Sequence, residues 1–250
     1  MKIALIGYGK MGKEIEKVAR SRGHEIVCII DINNQDDFES EAFKSADVAI
    51  EFTNPMVAYS NYMKAFKAGV KLVSGSTGWM AEHGEEIKKL CTEGGKTLFW
   101  SSNFSLGVSI FSALNKYLAK IMNQFPAYDV TMSETHHIHK LDAPSGTALM
   151  IANAINEEAG GKYEYVYDRH AVRQKRGAQE LGISSVRGGG IVGDHDVLFC
   201  GPEEVVTISH VAQSRGVFAD GAVQAALFLD GCEPGYYTMT DMLKGKMQCL

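Results

Sequence analysis

The first hundred residues alternate short, nearly continuous apolar runs with longer amphipathic stretches. The apolar runs at 2–7, 25–31, 48–53, 71–76 and 97–102 have the length of strands. Their lack of polar alternation suits strands covered on both faces. Between them, 11–21, 55–68 and 82–93 have the patterning of helices. Pro55 fits a first helical position with Asn54 as its cap, and Gly69 fits the end of the same helix. Strand–helix alternation of this kind predicts an α/β fold with a Rossmann-type, doubly wound parallel sheet.

After Asn103 the pattern changes. A long helix is expected over 105–122, then strands with period-two alternation at 128–135, 163–167, 183–187, 196–200 and 204–211. A helix over 147–158 sits among them. This stretch reads as a second α+β domain built on an open mixed sheet. Helical patterning returns over 215–230, and a short helix is expected over 240–244. The run Gly188-Gly189-Gly190 reads as a turn or mobile loop.

A chain of 250 residues has room for one large domain or two modest ones. The formal net charge of −5 and a pI near 5.9 exclude a global basic field for nucleic acid. No apolar run approaches the length of a membrane span. The N-terminus enters a strand without a signal-peptide core, so a cytoplasmic location is the expectation. Cys28, Cys91, Cys200, Cys232 and Cys249 are scattered, odd in number and without a CxxC pair. They read as free thiols in a reducing compartment, not as a zinc site.

The carboxyl ends of the first five strands share a character. Gly7, Asp31, Thr53, Gly75-Ser76-Thr77 and Ser101-Ser102-Asn103 are small, polar or acidic. Such endings are common wherever a strand enters a loop. Five in succession point to a cofactor cleft, because ligands of open α/β sheets bind at that edge. Gly7-Tyr8-Gly9-Lys10-Met11-Gly12 matches G-x-G-x-x-G between an apolar strand and an amphipathic helix. Gly7 permits the tight turn, Gly9 the approach of a pyrophosphate, and Gly12 close helix–strand packing. Asp31 stands where a carboxylate binds the adenosine ribose and repels a 2′-phosphate. Ile32, Asn33 and Asn34 follow it in place of an arginine, which tilts the cofactor toward NADH. Lys10 could partly accommodate NADPH. The alternative is a Rossmann-like domain that binds another nucleotide, or none.

The densest chemistry lies in His136-His137-Ile138-His139-Lys140-Leu141-Asp142-Ala143-Pro144-Ser145-Gly146-Thr147. Three readings compete. Clustered imidazoles suggest a metal. In an extended strand, however, His137 and His139 would share one face and His136 and Lys140 the other, and an ammonium beside a metal is unfavourable. A solvated polar strand is the bland reading. The third combines a proton donor, His136 or Lys140, with an anion site. Gly146 and Thr147 would offer N–H groups at a helix start, where the dipole favours a carboxylate. His195 and His210 read as structural or surface residues, Arg187 and Arg215 as ordinary polar residues, and Trp79 and Trp100 as packing.

The stretch HHIHKLDAPSGTAL resembles the signature of the 4-hydroxy-tetrahydrodipicolinate reductase family, also called dihydrodipicolinate reductase. Ser74-Gly75-Ser76-Thr77-Gly78 is similar to that family's G-T-T-G loop, and Ser102-Asn103-Phe104-Ser105-Leu106-Gly107-Val108 to its N-F-S-x-G-V segment. Gly193-Asp194-His195, Gly201-Pro202 and His210-Val211-Ala212-Gln213-Ser214-Arg215 resemble its later motifs. The glycine loop is one residue shorter than the family often has, with Lys10 where an arginine is usual, and the segment between Asp31 and Val48 is short.

The resemblance implies a dinucleotide-binding domain of residues 1–104 plus 216–250 and a substrate-binding and oligomerisation domain of 105–215. It implies His136 and Lys140 as proton donors, and His137, Lys140, Gly146 and Thr147 as substrate ligands. Gly7, Tyr8, Gly9, Lys10, Met11, Gly12, Asp31, Thr53, Gly75, Ser76, Thr77, Ser101, Ser102, Asn103 and Phe104 would hold NADH or NADPH. No metal is implied. The substrate implied by the resemblance is a cyclic imine dicarboxylate, reduced on the diaminopimelate route to lysine by an expected homotetramer. The rival readings are another Rossmann reductase, such as an aspartate dehydrogenase, and a nucleotide sensor without turnover.

Overall fold

In chain order the elements are β1 (Lys2–Ile6), α1 (Lys10–Ser21), β2 (Glu25–Ile30), α2 (Glu41–Lys44), β3 (Val48–Glu51), α3 (Pro55–Ala68), β4 (Lys71–Ser74), α4 (Met80–Thr92) and β5 (Thr97–Trp100). Then come α5 (Leu106–Met122), β6 (Asp129–His136), α6 (Gly146–Glu158), β7 (Glu164–Val166), β8 (Glu180–Arg187), β9 (Asp194–Cys200) and β10 (Val205–Val211). The order closes with α7 (Gly216–Asp230), β11 (Gly235–Tyr237) and α8 (Met239–Lys244). This computed structural model describes residues 1–167, 169 and 173–244. Cys249 lies outside them. The chain divides into two units, Met1–Leu106 with Gly216–Leu250, and Gly107–Arg215.

The first unit holds a six-stranded sheet in the order β11-β5-β4-β3-β1-β2, with every pairing parallel. Its strands feed two cores because successive side chains leave opposite faces. Ile3, Leu5, Ile50, Val73 and Phe99 pack with Ala219, Val223 and Leu229 of α7. Ala4, Ile6, Ala49, Leu72 and Leu98 pack with Tyr62 and Phe66 of α3 and Ile87 of α4. Burial on both sides is why these strands read as unbroken apolar runs. The sequence-expected caps of α3 are in place. Asn54 Oδ1 accepts from the Met56 N–H at 3.0 Å, Pro55 opens the helix, and Gly69 ends it at φ +76°.

Three features were not expected. A 3-10 turn (Gln35–Glu39) and α2 fill the connection from β2 to β3. β11 adds a sixth strand beside β5. Helix α4 begins at Met80, two residues early.

The second unit is a five-stranded mixed sheet ordered β10-β9-β6-β8-β7. β6 runs parallel to β8 and antiparallel to β9. Phe111 and Ala119 of α5 and Ile151 and Ile155 of α6 cover one face, over Val130, Met132, Leu181, Ile183, Val197 and Phe199. β8 starts at Glu180 and β9 at Asp194, earlier than the alternation suggested. Among the described residues no helix is long and apolar enough to cross a membrane, and Cys28, Cys91, Cys200 and Cys232 are free thiols.

One expectation about the histidine segment fails. It is not an extended strand: β6 ends at His136, and Ile138 and His139 form a turn in which the Lys140 N–H donates to the His137 carbonyl at 3.1 Å. The glycine run causes this. The Gly188 N–H donates to the His136 carbonyl at 2.8 Å, and the Gly189 carbonyl, in a residue at φ +49°, accepts from the Ile138 N–H at 3.3 Å. Backbone pairing with a tight glycine turn bends the segment out of register. The alternating-face argument therefore does not apply beyond His136.

Candidate active site

In the second unit the site is built on the buried side of β6. Val130, Met132, Glu134 and His136 alternate inward, so two polar side chains continue an apolar row. Glu134 is 1% exposed. Its Oε1 accepts from Arg187 Nη2 at 2.9 Å, and its Oε2 accepts from His136 Nδ1. Burial pushes the Glu134 carboxyl up, but hydrogen bonds from Arg187, Ser185 and His136 outweigh it and hold the group below the ordinary carboxylate range. An ionised carboxylate only accepts, so Nδ1 of His136 carries a hydrogen and Nε2 of the neutral ring is bare. Burial lowers the His136 pKa, the Glu134 carboxylate opposes this, and the charges of Lys140 and Arg187 add to the lowering.

Gly193 lies against the bare nitrogen. A Cβ there would sit 2.8 Å from His136 Nε2. The His195 ring stands edge-on to His136 with centroids 5.2 Å apart. His195 is buried, and desolvation, reinforced by the charge of His136, pushes it down to about 4. Its Nε2 lies 3.2 Å from Ser145 Oγ, which also accepts the Ala148 N–H at 3.1 Å and so caps α6. The carboxylate–imidazole pair and the start of α6 are thus joined through His195.

Lys140 leaves the turn to pair with Asp142 at 2.8 Å. That pairing, with a backbone hydrogen bond from Gly146, holds the Asp142 carboxyl below its usual range. An anion therefore rests against Lys140 and the first residue of α6, as the helix dipole favours. Arg187 Nη2 also donates to the Asp142 carbonyl at 2.6 Å. Thr147 is the second residue of α6. His137 Nε2 lies 3.4 Å from Arg215 Nη2, and its ring is 6.2 Å from that of His139.

Of the sequence-selected residues, His136, Lys140 and Gly146 converge on this network. Sequence reasoning passed over Glu134 and His195 and left Arg187 as an ordinary polar residue. The signal was present in the alternation, which puts Glu134 in the same inward row as Val130 and Met132. The metal cluster considered at His136, His137 and His139 does not form. Glu134, His136 and His195 instead bring one donor atom each within 4.8 Å of one another. Each Glu134 oxygen also accepts a hydrogen bond, one from Arg187 and one from His136.

In the first unit the residues expected to hold the cofactor gather at the carboxyl edge of the parallel sheet. Gly7 sits at φ +91°, and a Cβ there would meet the Phe52 carbonyl at 2.3 Å. A Cβ on Gly12 would meet the Gly7 carbonyl at 2.2 Å, whereas one on Gly9 would meet nothing within 4 Å. Gly9 precedes α1 with no side-chain cap and no acidic residue in the first turn. Two glycines close the turn and the third leaves open space before a helix start, which fits a dinucleotide pyrophosphate. Lys10 and Asp31 are exposed, and Met11 is half-buried against the core. Tyr8 points its hydroxyl at Glu16.

Thr53 N–H donates to Ser76 Oγ at 3.0 Å, placing those two loops side by side. Gly75 packs under the Phe52 ring, which a Cβ would strike at 2.2 Å. Thr77 and Ser102 are exposed, and Ser101 Oγ donates to the Asn103 carbonyl at 2.7 Å. The Phe104 side chain is buried among Phe52 and Phe99, and its carbonyl packs against Gly221 of α7, where a Cβ would meet it at 1.7 Å. Trp79 and Trp100 do more than pack: both indole N–H groups donate to the Ser76 carbonyl, at 2.8 and 2.9 Å.

The chain is similar to known proteins along nearly its whole length. Residues 1–104 match the family model described as dihydrodipicolinate reductase, N-terminus, and residues 107–243 the one described as its C-terminus. A 4-hydroxy-tetrahydrodipicolinate reductase of Caldanaerobacter subterraneus subsp. tengcongensis is 43% identical over 94% of this chain and 95% of its own. The enzyme of that name from Staphylococcus epidermidis is 40% identical over 97% of this chain and 100% of its own. A dipicolinate-bound dihydrodipicolinate reductase from Paenisporosarcina sp. shares the fold, with a TM-score of 0.76 at 24% identity, covering 96% of this chain and 98% of that one. The chain belongs to the dihydrodipicolinate reductase family.

Proposed function

We propose that this chain is an NAD(P)H-dependent reductase of 4-hydroxy-tetrahydrodipicolinate, acting after loss of water to give tetrahydrodipicolinate for lysine biosynthesis through diaminopimelate. One observation carries the catalytic assignment: His136 is held by the buried Glu134–Arg187 pair and shares its surroundings with Lys140 and the start of α6. The nicotinamide supplies the hydride when bound. The chain's own residues bind and protonate. Lys140 and the Gly146 and Thr147 backbone receive a substrate carboxylate, with His137 as a further ligand. That carboxylate takes over the contacts that Asp142 makes in the free chain.

His136 is held toward its neutral form in the free chain, with Nε2 bare. A dicarboxylate raises its proton affinity, because negative charge nearby favours the cation. Nε2 takes up the proton that it delivers as charge develops in the reduced ring, and Lys140 is the second donor. Asp31 favours NADH by repelling a 2′-phosphate, while exposed Lys10 gives NADPH some access. The remaining cofactor ligands are the glycine loop, Thr53, 75–77 and 101–104. We also propose a cytoplasmic homotetramer joined through the open face of the second unit's sheet. Val186, Val205 and Val211, each more than half exposed, support that reading.

The test is NADH and NADPH oxidation with freshly generated cyclic imine, against aspartate with NAD⁺. Turnover of the imine is expected, with His136→Ala and Lys140→Ala losing kcat far more than cofactor affinity. Aspartate oxidation without imine reduction would mark a dehydrogenase, and NADH binding without consumption a sensor.

A further inference from the structure

Glu51 is fully buried at the end of β3, and the chemistry above does not use it. Its Oε1 accepts from the Thr53 N–H at 3.1 Å, from Ser76 Oγ at 2.7 Å and from Thr53 Oγ1. Its Oε2 accepts from Ser74 Oγ at 2.5 Å. Tyr62 OH extends the network to Ser74 Oγ at 2.5 Å, and Ser74 Oγ accepts the Ser76 N–H at 3.2 Å. Asn61 Nδ2 reaches Thr53 Oγ1 at 3.4 Å. One carboxyl therefore ties together two loops that leave different strands, with Thr53 on one and Ser76 on the other.

Burying an acid among neutral groups is costly unless each lone pair is used. Here every donor to Glu51 is a hydroxyl or an amide, and burial pushes its pKa up against their opposing effect. A hydrophobic residue would fill this place between Ala49 and the apolar core at less cost. The acid instead spans from β3 to the loop after β4, which no apolar side chain could tie by hydrogen bonds.

We propose that Glu51 is a positioning residue for the nicotinamide cofactor, holding the Thr53 and Ser76 loops at the spacing the cofactor needs. This rests on the reading that those loops bind NAD(P)H. It acts through hydrogen bonds and not through charge. Glutamine can reproduce them by leaving its oxygen toward Thr53 and Ser76 and turning its NH₂ toward Ser74, whose hydroxyl can accept. Leucine keeps the volume and removes every bond.

The experiment measures NADH and dipicolinate affinities by calorimetry, and kcat with KM for NADH, in Glu51→Gln, Glu51→Leu, Ser74→Ala and Thr53→Ala. Glu51→Gln is expected to stay within about twofold of the parent. Glu51→Leu is expected to bind NADH about tenfold more weakly, the loss of roughly one net hydrogen-bonded anchor. KM rises with it, while kcat and dipicolinate affinity hold. Ser74→Ala shifts in the same direction by less, and decides the matter if Glu51→Leu does not fold. A melting point lowered with NADH affinity intact would make Glu51 merely structural and overturn the proposal. Equal losses in Glu51→Gln and Glu51→Leu would overturn it too, since charge would then be the cause. If Thr53→Ala also binds NADH normally, the cofactor site itself has been misassigned, a result distinct from failure at Glu51 alone.

Discussion

Glu134→Gln is the sharpest test of the proton network. The glutamate serves two donors at once, Arg187 Nη2 at 2.9 Å and His136 Nδ1, with one oxygen each. An amide has one oxygen for both. The guanidinium makes the stronger, charge-assisted bond and takes it. The NH₂ then faces Nδ1 of His136, which must give up its hydrogen and become an acceptor. The tautomer inverts, and a second proton on the ring would point at a donor. The carboxylate that opposed burial is also lost, so the His136 pKa falls further while Lys140 and Arg187 still lower it. Turnover at neutral pH should drop about 10²- to 10³-fold, some 3–4 kcal/mol of barrier, within the range for a misplaced general acid. Stability should fall by about 2–3 kcal/mol. Breaking a buried pair costs more than that, but Arg187 keeps the carbonyls of Val186 and Asp142. Steady-state rates across pH on saturating NADH and substrate provide the assay. The decline in kcat with rising pH should begin at lower pH than in the parent. A variant that keeps kcat within about threefold, or keeps its pH profile, would refute the reasoning.

Three further outcomes follow from the same geometry. Gly193→Ala should lower kcat and leave NADH affinity intact in calorimetry, because its Cβ would press on His136 Nε2 at 2.8 Å. His195 titrates near 4 in the folded chain and near its ordinary 6.5 when unfolded, so the unfolded state binds more protons between those values. Its contribution to stability is complete above about pH 6.5 and is lost as pH falls toward about 4, by up to roughly 3 kcal/mol. His195→Gln should flatten that slope in denaturant titrations at pH 7 and 4.5, and an unchanged slope would exclude His195 as its source. Asp31→Ser should move the NADPH-to-NADH ratio of kcat/KM upward by about tenfold, and an unmoved ratio would remove Asp31 from the ribose site.

Much of the first unit is legible because its signals are local. Asn54, Pro55 and Gly69 mark α3 at both ends, and doubly buried strands show as unbroken apolar runs. β11 was missed because three residues, Gly-Tyr-Tyr, carry no periodicity and owe their strand state to pairing with β5 far back in the chain. The histidine segment misled for a related reason: its turn depends on hydrogen bonds to Gly188 and Gly189, some fifty residues on. The site was legible in residue type but not in partnership. His136 and Lys140 stand out in any reading, whereas Glu134 looks like an ordinary surface carboxylate until β8 and β9 close around it.

The chain has two tryptophans, and both indoles lean on the carbonyl of Ser76. Both indole emitters thus sit against one peptide group in the loop after β4. Any ligand that disturbs this spot should change the light of the whole molecule, so the chain has a built-in optical gauge of that loop and needs no attached dye.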